Sequence, residues 1–306
     1  MLVQVLYFIL GLGALYYGAE FSLESAEKIG KKFKMSPLLI GLFIVGFGTS
    51  LPEFFVSQVA GINGKFDMSL GNIVGSNAAN IFLVLGVCGL FVDLKTDNED
   101  LKFQFLFHLI VTFACGVIFY LKKVNLITLL IFFGLFILYF FKNFKANKVK
   151  DHDEQVIHVG AKEYALLVLG FSFLYGGGEL LIYSGSHLSR SLNISEYTIS
   201  AILVAFGTSF PELVTSLIAC RKKKDTDLII GNVIGSNIFN LCFVLGSVGV
   251  YNFSLKSSYP LEIMILLATS ILFVLGAKAK VKIGRLVSSV FLIIYFGLSY
   301  YWVSYS

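Results

Sequence analysis

Two octapeptides carry the residues of this chain that could do chemistry: Gly46-Phe-Gly-Thr-Ser-Leu-Pro-Glu53 and Ala205-Phe-Gly-Thr-Ser-Phe-Pro-Glu212. Six of the eight positions are identical across a separation of 159 residues. Each copy brings two hydroxyls, a proline and a carboxylate into an apolar run. On a helix Thr49, Glu53 and Ser57 stand at i, i+4 and i+8, with Ser50 three residues before Glu53, so their oxygens share one face. Thr208, Ser209, Glu212 and Ser216 repeat that pattern. Pro52 and Pro211 donate no backbone hydrogen bond and clash with the preceding turn, which frees carbonyls around Gly48 and Gly207. Carboxylate, hydroxyl and carbonyl oxygens together are the ligands that hard cations prefer.

A second duplicated motif supplies neutral groups. Gly71-Asn-Ile-Val-Gly-Ser-Asn-Ala-Ala-Asn80 recurs as Gly231-Asn-Val-Ile-Gly-Ser-Asn-Ile-Phe-Asn240, six of ten positions identical, at an offset of 160. Asn72, Ser76 and Asn80 run i, i+4, i+8, as do Asn232, Ser236 and Asn240, and these side chains are expected to offer oxygens beside the glutamates. Gly71 with Gly75, and Gly231 with Gly235, form small-xxx-small pairs that let helices approach closely. A carboxylate at mid-membrane costs at least ~2.5–3.5 kcal/mol. Two of them at one site repel each other. One divalent cation or several monovalent ones would cancel the charge, as would protons.

The elements that must position these groups are membrane spans. The chain has 306 residues, 57% of them hydrophobic, a mean hydropathy of +0.82 and only 14% charged residues. A soluble protein of this length could not cover its surface with so few charges. Hydropathy predicts ten spans, near 2–22, 36–62, 67–93, 102–121 and 124–141, then 161–186, 195–219, 227–251, 259–277 and 284–304. The N-terminus lacks a basic stretch and a small-residue cleavage site, so 2–22 is expected to be the first span rather than a removed leader. Residues 142–160 form a polar linker too short to hold a folded domain.

Nineteen of the 24 basic residues fall at the loops leaving odd-numbered spans. Cytoplasmic loops are enriched in Lys and Arg, so both termini are expected outside and the linker inside. Two halves of five spans each, 1–141 and 161–306, enter the membrane from opposite sides. The expected fold class is therefore an all-α polytopic membrane protein of ten transmembrane helices, arranged as two inverted five-helix repeats.

Other features read more simply. Cys88, Cys115, Cys220 and Cys242 lack metal-like spacing and are expected to pack as apolar residues without disulfides. His108 is expected to be a satisfied packing residue in an apolar span. Glu20 and Glu179, near expected span ends, are expected to be interfacial or packing partners. The Gly-x-Gly strings lack the Gly-Lys-Ser/Thr and strand context of a phosphate loop. The net charge of +5 comes from loop lysines and implies no nucleic-acid partner.

At the two duplicated motifs the sequence resembles the Ca²⁺/cation antiporter superfamily, and specifically its sodium/calcium exchanger branch in a short-linker, prokaryotic form. The resemblance covers both halves. It implies antiport of Na⁺ and Ca²⁺ by alternating access, three Na⁺ per Ca²⁺, with the ions bound as cargo and no resident cofactor. It places Glu53 and Glu212 as central carboxylates and Thr49 and Thr208 on Ca²⁺. Ser50, Ser76, Ser209 and Ser236, with the carbonyls of Gly46 and Ala205, would complete flanking Na⁺ sites, and Asn80 and Asn240 would lie at the centre. Potassium-dependent members carry Asp at the position of Asn240, so the resemblance argues for K⁺-independence. The expected surroundings are the lipid bilayer of the cell membrane, with no protein partner evident. A Ca²⁺/H⁺ or other divalent/H⁺ antiporter is the nearest alternative. A cation channel would need no inverted halves. An intramembrane enzyme would need a nucleophile with a base or a His-Glu-x-x-His, and neither occurs.

Overall fold

The computed structural model describes residues 2–64, 66–146, 159–191, 207–255 and 260–304. Runs rich in Leu, Ile and Phe satisfy their backbone within helices, as a bilayer requires. Eight helical stretches among these residues are long and apolar enough to span: Val3–Lys32, Pro37–Ile62, Ser69–Phe91, Glu99–Leu121, Leu126–Asn143, Thr226–Tyr251, Pro260–Lys278 and Arg285–Trp302. The chain is a multi-pass integral membrane protein. The expected span 161–186 falls on a further helix, α9 (Ala161–Ser191). The expected span 195–219 is described only from residue 207, and linker residues 147–158 also lie outside the described residues.

The first helix, α1 (Leu2–Lys32), runs well past the end expected at residue 22. It stops where Lys34 turns left-handed (φ 55°) and the Met35 amide reaches back to the Gly30 carbonyl (2.9 Å). Span 2 is broken into α2 (Pro37–Leu39), a π-helical segment Ile40–Val45, α3 (Gly46–Thr49) and α4 (Leu51–Ile62). Span 3 comprises α5 (Phe66–Ala78), a π segment Ala79–Leu85 and α6 (Gly86–Phe91). Next come α7 (Glu99–Leu121), capped by the Asn98 side chain, and α8 (Leu126–Ala146), which extends beyond the expected end at 141. The second half shows α9, α10 (Phe210–Arg221), α11 (Thr226–Phe239), a π segment Asn240–Val244 and α12 (Leu245–Val248). Two long helices, α13 (Pro260–Lys278) and α14 (Arg285–Ser304), complete it.

Burial separates centre from rim. The spans carrying the Asn/Ser motifs are 89% and 94% buried, whereas Leu126–Asn143 and Arg285–Trp302 are each 22% buried. Lipid-facing helices present an apolar side outward: Leu126, Ile127 and Leu130 of α8, and Leu286 and Ile293 of α14, are exposed.

Backbone contacts reveal the relation between the halves. A Cβ on Gly18 would lie 2.8 Å from the Gly170 carbonyl oxygen, and one on Gly177 would lie 2.8 Å from that of Gly11. Residue numbers thus rise along α1 as they fall along α9, so the first helices of the two halves run antiparallel in backbone contact. Two short pairings echo this. β1 (Lys123–Val124) pairs antiparallel with β2 (Phe253–Ser254), and Leu94 bridges Ile283. Lys123–Ser254 and Ile283–Leu94 are the same pair displaced by 160 residues, once in each direction.

Because α9 leaves no room at Gly18, Gly18→Ala should lower the thermal midpoint of the purified protein, at a cost of about 1–3 kcal/mol. Gly13→Ala, with nothing within 4 Å of the new methyl, should leave the midpoint where it is.

Candidate cation site

The prolines shape the site. Ser50 (φ −87°, ψ 7°) and Ser209 (φ −87°, ψ 4°) adopt nearly the same non-helical conformation, and α4 and α10 restart from there with the proline in the first turn. Each restart places its glutamate, Glu53 or Glu212, in a first turn whose free N–H groups favour negative charge.

The two duplicated motifs interlock. Thr49, Ser50, Glu53, Ser76 and Asn80 from one half, and Thr208, Ser209, Glu212, Ser236 and Asn240 from the other, are all at most 2% exposed. The Ser50 hydroxyl donates to Oε1 of Glu212 (2.9 Å), Ser76 and Thr208 share a hydrogen bond (3.1 Å), and Ser236 donates to the Gly46 carbonyl (3.0 Å). The Ser76 and Thr208 hydroxyls face the Glu53 carboxylate, and those of Thr49, Ser50 and Ser236 face that of Glu212. Ala205, expected to contribute a carbonyl, lies outside the described residues.

Asn72 and Asn232 act differently from the expectation that they offer free oxygens. Asn72 donates to the Glu53 carbonyl (3.1 Å) and Ser57 (3.0 Å), and Asn232 donates to Thr215 (3.1 Å) and Ser216 (3.0 Å). Their Oδ1 atoms accept from the opposite half: Thr208 donates to Asn72 (3.3 Å) and Thr49 to Asn232 (3.4 Å). Both amides belong to the framework.

A different set of buried atoms has no hydrogen-bond partner among the described residues. It includes both oxygens of Glu53, Oε2 of Glu212, Oγ of Ser209 and the amide groups of Asn80 and Asn240. Unpaired buried oxygens are expensive, and a cluster of them that includes two carboxylates is what a desolvated cation satisfies. A crevice of about 330 Å³ between the α3–α4 break and α9 reaches Thr49, bounded by Gly48, Pro52, Phe55, Phe171 and Tyr175.

Several participants escaped sequence reasoning. The π segments beginning at Ala79 and Asn240 widen the helix beside the central asparagines, and nothing in their apolar sequences announces it. Thr215 donates to the Pro211 (2.8 Å) and Glu212 (3.0 Å) carbonyls and has Val56 as its repeat counterpart, so the duplication gave no signal. Asn237 donates to the Asn77 carbonyl (3.2 Å), tying the two central spans together, and the shared Gly-Ser-Asn triplet was the available clue. His108 is buried with its Nδ1 3.0 Å from Ser270 Oγ. Glu20 lies well inside α1 rather than at a span end and forms an ion pair with Lys222 (3.2 Å). All four cysteines are buried thiols.

Known proteins share this arrangement. The family model described as sodium/calcium exchanger protein matches residues 3–145 and 162–303. A membrane protein of Methanocaldococcus jannaschii is 34% identical over 296 residues, 96% of each chain. A sodium/calcium exchanger of Methanosarcina acetivorans is 30% identical over 304 residues, with 85% of each chain covered. The solved structure of the sodium-calcium exchanger NCX_Mj, soaked with 10 mM Na⁺ and zero Ca²⁺, superposes with a TM-score of 0.86 at 31% identity, covering 96% of this chain and 97% of that one.

Proposed function

Since the chain belongs to the sodium/calcium exchanger protein family, within the Ca²⁺/cation antiporter superfamily, and is a transporter rather than an enzyme, we propose that it exchanges Na⁺ for Ca²⁺. The observation that carries this reading is the pair of fully buried glutamates from the two halves, with three of their four carboxylate oxygens unpaired amid hydroxyls. Glu53 and Glu212 hold Ca²⁺ together with Thr49 and Thr208. Ser50, Ser76, Ser209 and Ser236, with the Gly46 and Ala205 carbonyls, hold Na⁺, and Asn80 and Asn240 line the centre. Two carboxylates neutralise one Ca²⁺ or about two Na⁺, so the ions compete for shared oxygens and cannot all bind at once. Competition of this kind is what couples their opposing movements.

The finer points follow the same reading. Residues 1–141 and 161–306 act as inverted five-span repeats about a cytoplasmic linker at 142–160, with both termini outside the cell membrane. Access alternates as α1 and α9 shift against the remaining helices. Exchange of three Na⁺ for one Ca²⁺ moves one net charge, worth ~2.3 kcal/mol per 100 mV, so the rate depends on voltage. Asn240 leaves no third carboxylate at the centre, which fits a cycle without K⁺. The ions are cargo, and the protein works without a resident cofactor or a protein partner.

Purified protein in liposomes loaded with Na⁺ should take up Ca²⁺ when diluted into Na⁺-free buffer, faster when a valinomycin potential compensates the charge moved. K⁺ should have no other effect. Uptake that tracks a pH gradient and ignores Na⁺ would instead establish proton exchange. Glu53→Gln and Glu212→Gln should each reduce Ca²⁺ uptake to the background of empty liposomes, and near-normal uptake in either would mean that the site lies elsewhere.

A further inference from the structure

The Thr49 hydroxyl has one proton and three acceptors in reach: the Val45 carbonyl (3.1 Å), the Gly46 carbonyl (3.3 Å) and Oδ1 of Asn232 (3.4 Å). A proton aimed at Gly46 would point into the proposed ligand set and repel a cation there. Asn232 offers an alternative acceptor, and its own amide nitrogen is fixed by Thr215 and Ser216. The same relation recurs with the halves exchanged, where Asn72, fixed by the Glu53 carbonyl and Ser57, accepts from Thr208. Recurrence under the internal repeat makes a chance contact a poor explanation. We propose that Asn72 and Asn232 are positioning residues, each taking the hydroxyl proton of the opposite half's threonine so that the oxygen lone pairs face the bound cation.

This rests on the exchange reading above, so its test is a binding measurement that needs no transport. Calorimetry with Ca²⁺ on detergent-solubilised protein would compare Asn232→Leu, Thr49→Val and the double variant. Asn232→Leu should weaken binding about tenfold, Thr49→Val, which removes the oxygen itself, at least as much, and the double should be no weaker than Thr49→Val, because Asn232 acts only through that hydroxyl. Effects that multiply, or an Asn232→Leu protein that binds as wild type does, would overturn the assignment. Asn232→Ser serves if the leucine variant fails to fold. Intact Ca²⁺ binding without Na⁺-driven uptake would sink the exchange reading and leave this one standing.

A separate observation concerns α1. Glu20, Glu24 and Glu27 occupy one helical stripe, and the end of α10 and the loop after it carry Arg221, Lys222, Lys223 and Lys224 in succession. Lys222 pairs with Glu20 (3.2 Å) and Glu24 (2.7 Å), Lys224 pairs with Glu27 (2.7 Å), and Arg221 donates to the Tyr16 hydroxyl (2.8 Å). The repeat carries only part of this set: displaced by 159 residues, Glu20 and Lys224 correspond to Glu179 and Lys65, but the other members change. Glu24 and Glu27 correspond to Tyr183 and Ser186, and Arg221 and Lys222 correspond to Ile62 and Asn63. An inverted repeat with identical halves would favour neither access state, so a clamp whose full set of charges is present in only one half biases the equilibrium. We infer that these ion pairs latch α1, and with it the closely packed α9, in the state where the crevice beside Phe55 and Tyr175 is open.

Labelling reports this state without any ion flux. Tyr175→Cys should react with a membrane-impermeant maleimide from the crevice side, and the native thiols are buried. Lys222→Glu with Lys224→Glu should slow that reaction about fivefold, and adding Glu24→Lys with Glu27→Lys should restore it. An unchanged rate, or charge reversal on α1 that fails to restore it, would overturn the latch.

Discussion

Two carboxylates from opposite halves of the chain are buried together, and most of the structure answers that single constraint. Like charges in a low-dielectric interior cannot both stand unscreened. Glu53 and Glu212 each sit at the start of a helix restarted by a proline, and hydroxyls from both halves surround them. The remaining charge calls for cations or protons, so folding itself prepares a place for positive charge.

Inverted duplication explains how one short motif can build such a site. Each copy alone presents hydroxyls and amides that its own half cannot fully use. Across the interface, Ser50 meets Glu212, Ser76 meets Thr208 and Ser236 meets the Gly46 carbonyl. Contacts within each half fix the framework, and these bonds across the interface join the two sets of candidate ligands, so displacement of one half disturbs groups contributed by both.

The octets and the Gly-Asn motifs exposed the buried candidate ligands because polar residues in apolar spans are conspicuous and these occur twice at matching offsets. Hydropathy, the scarcity of charges and span lengths made the helical membrane class legible. Helix ends were less so: α1 continues past residue 22 because Glu20, Glu24 and Glu27 are neutralised by a distant loop, a compensation that no local window contains. The role of Asn72 and Asn232 was misread for a related reason. Spacing placed them on the correct face, but which end of an amide points where depends on partners in the other half. Thr215 breaks the repeat and the π segments are apolar throughout, so neither left a pattern to find.

The glycine-lined contact between α1 and α9 bears on fidelity. Two separate gates could open together by chance, and an exchanger in that condition would leak its gradient. Helices in direct backbone contact, Gly18 against Gly170 and Gly177 against Gly11, share one mechanical degree of freedom. In the alternating-access cycle proposed above, opening towards one face and sealing towards the other then become a single displacement, and a short circuit would require the pair to come apart.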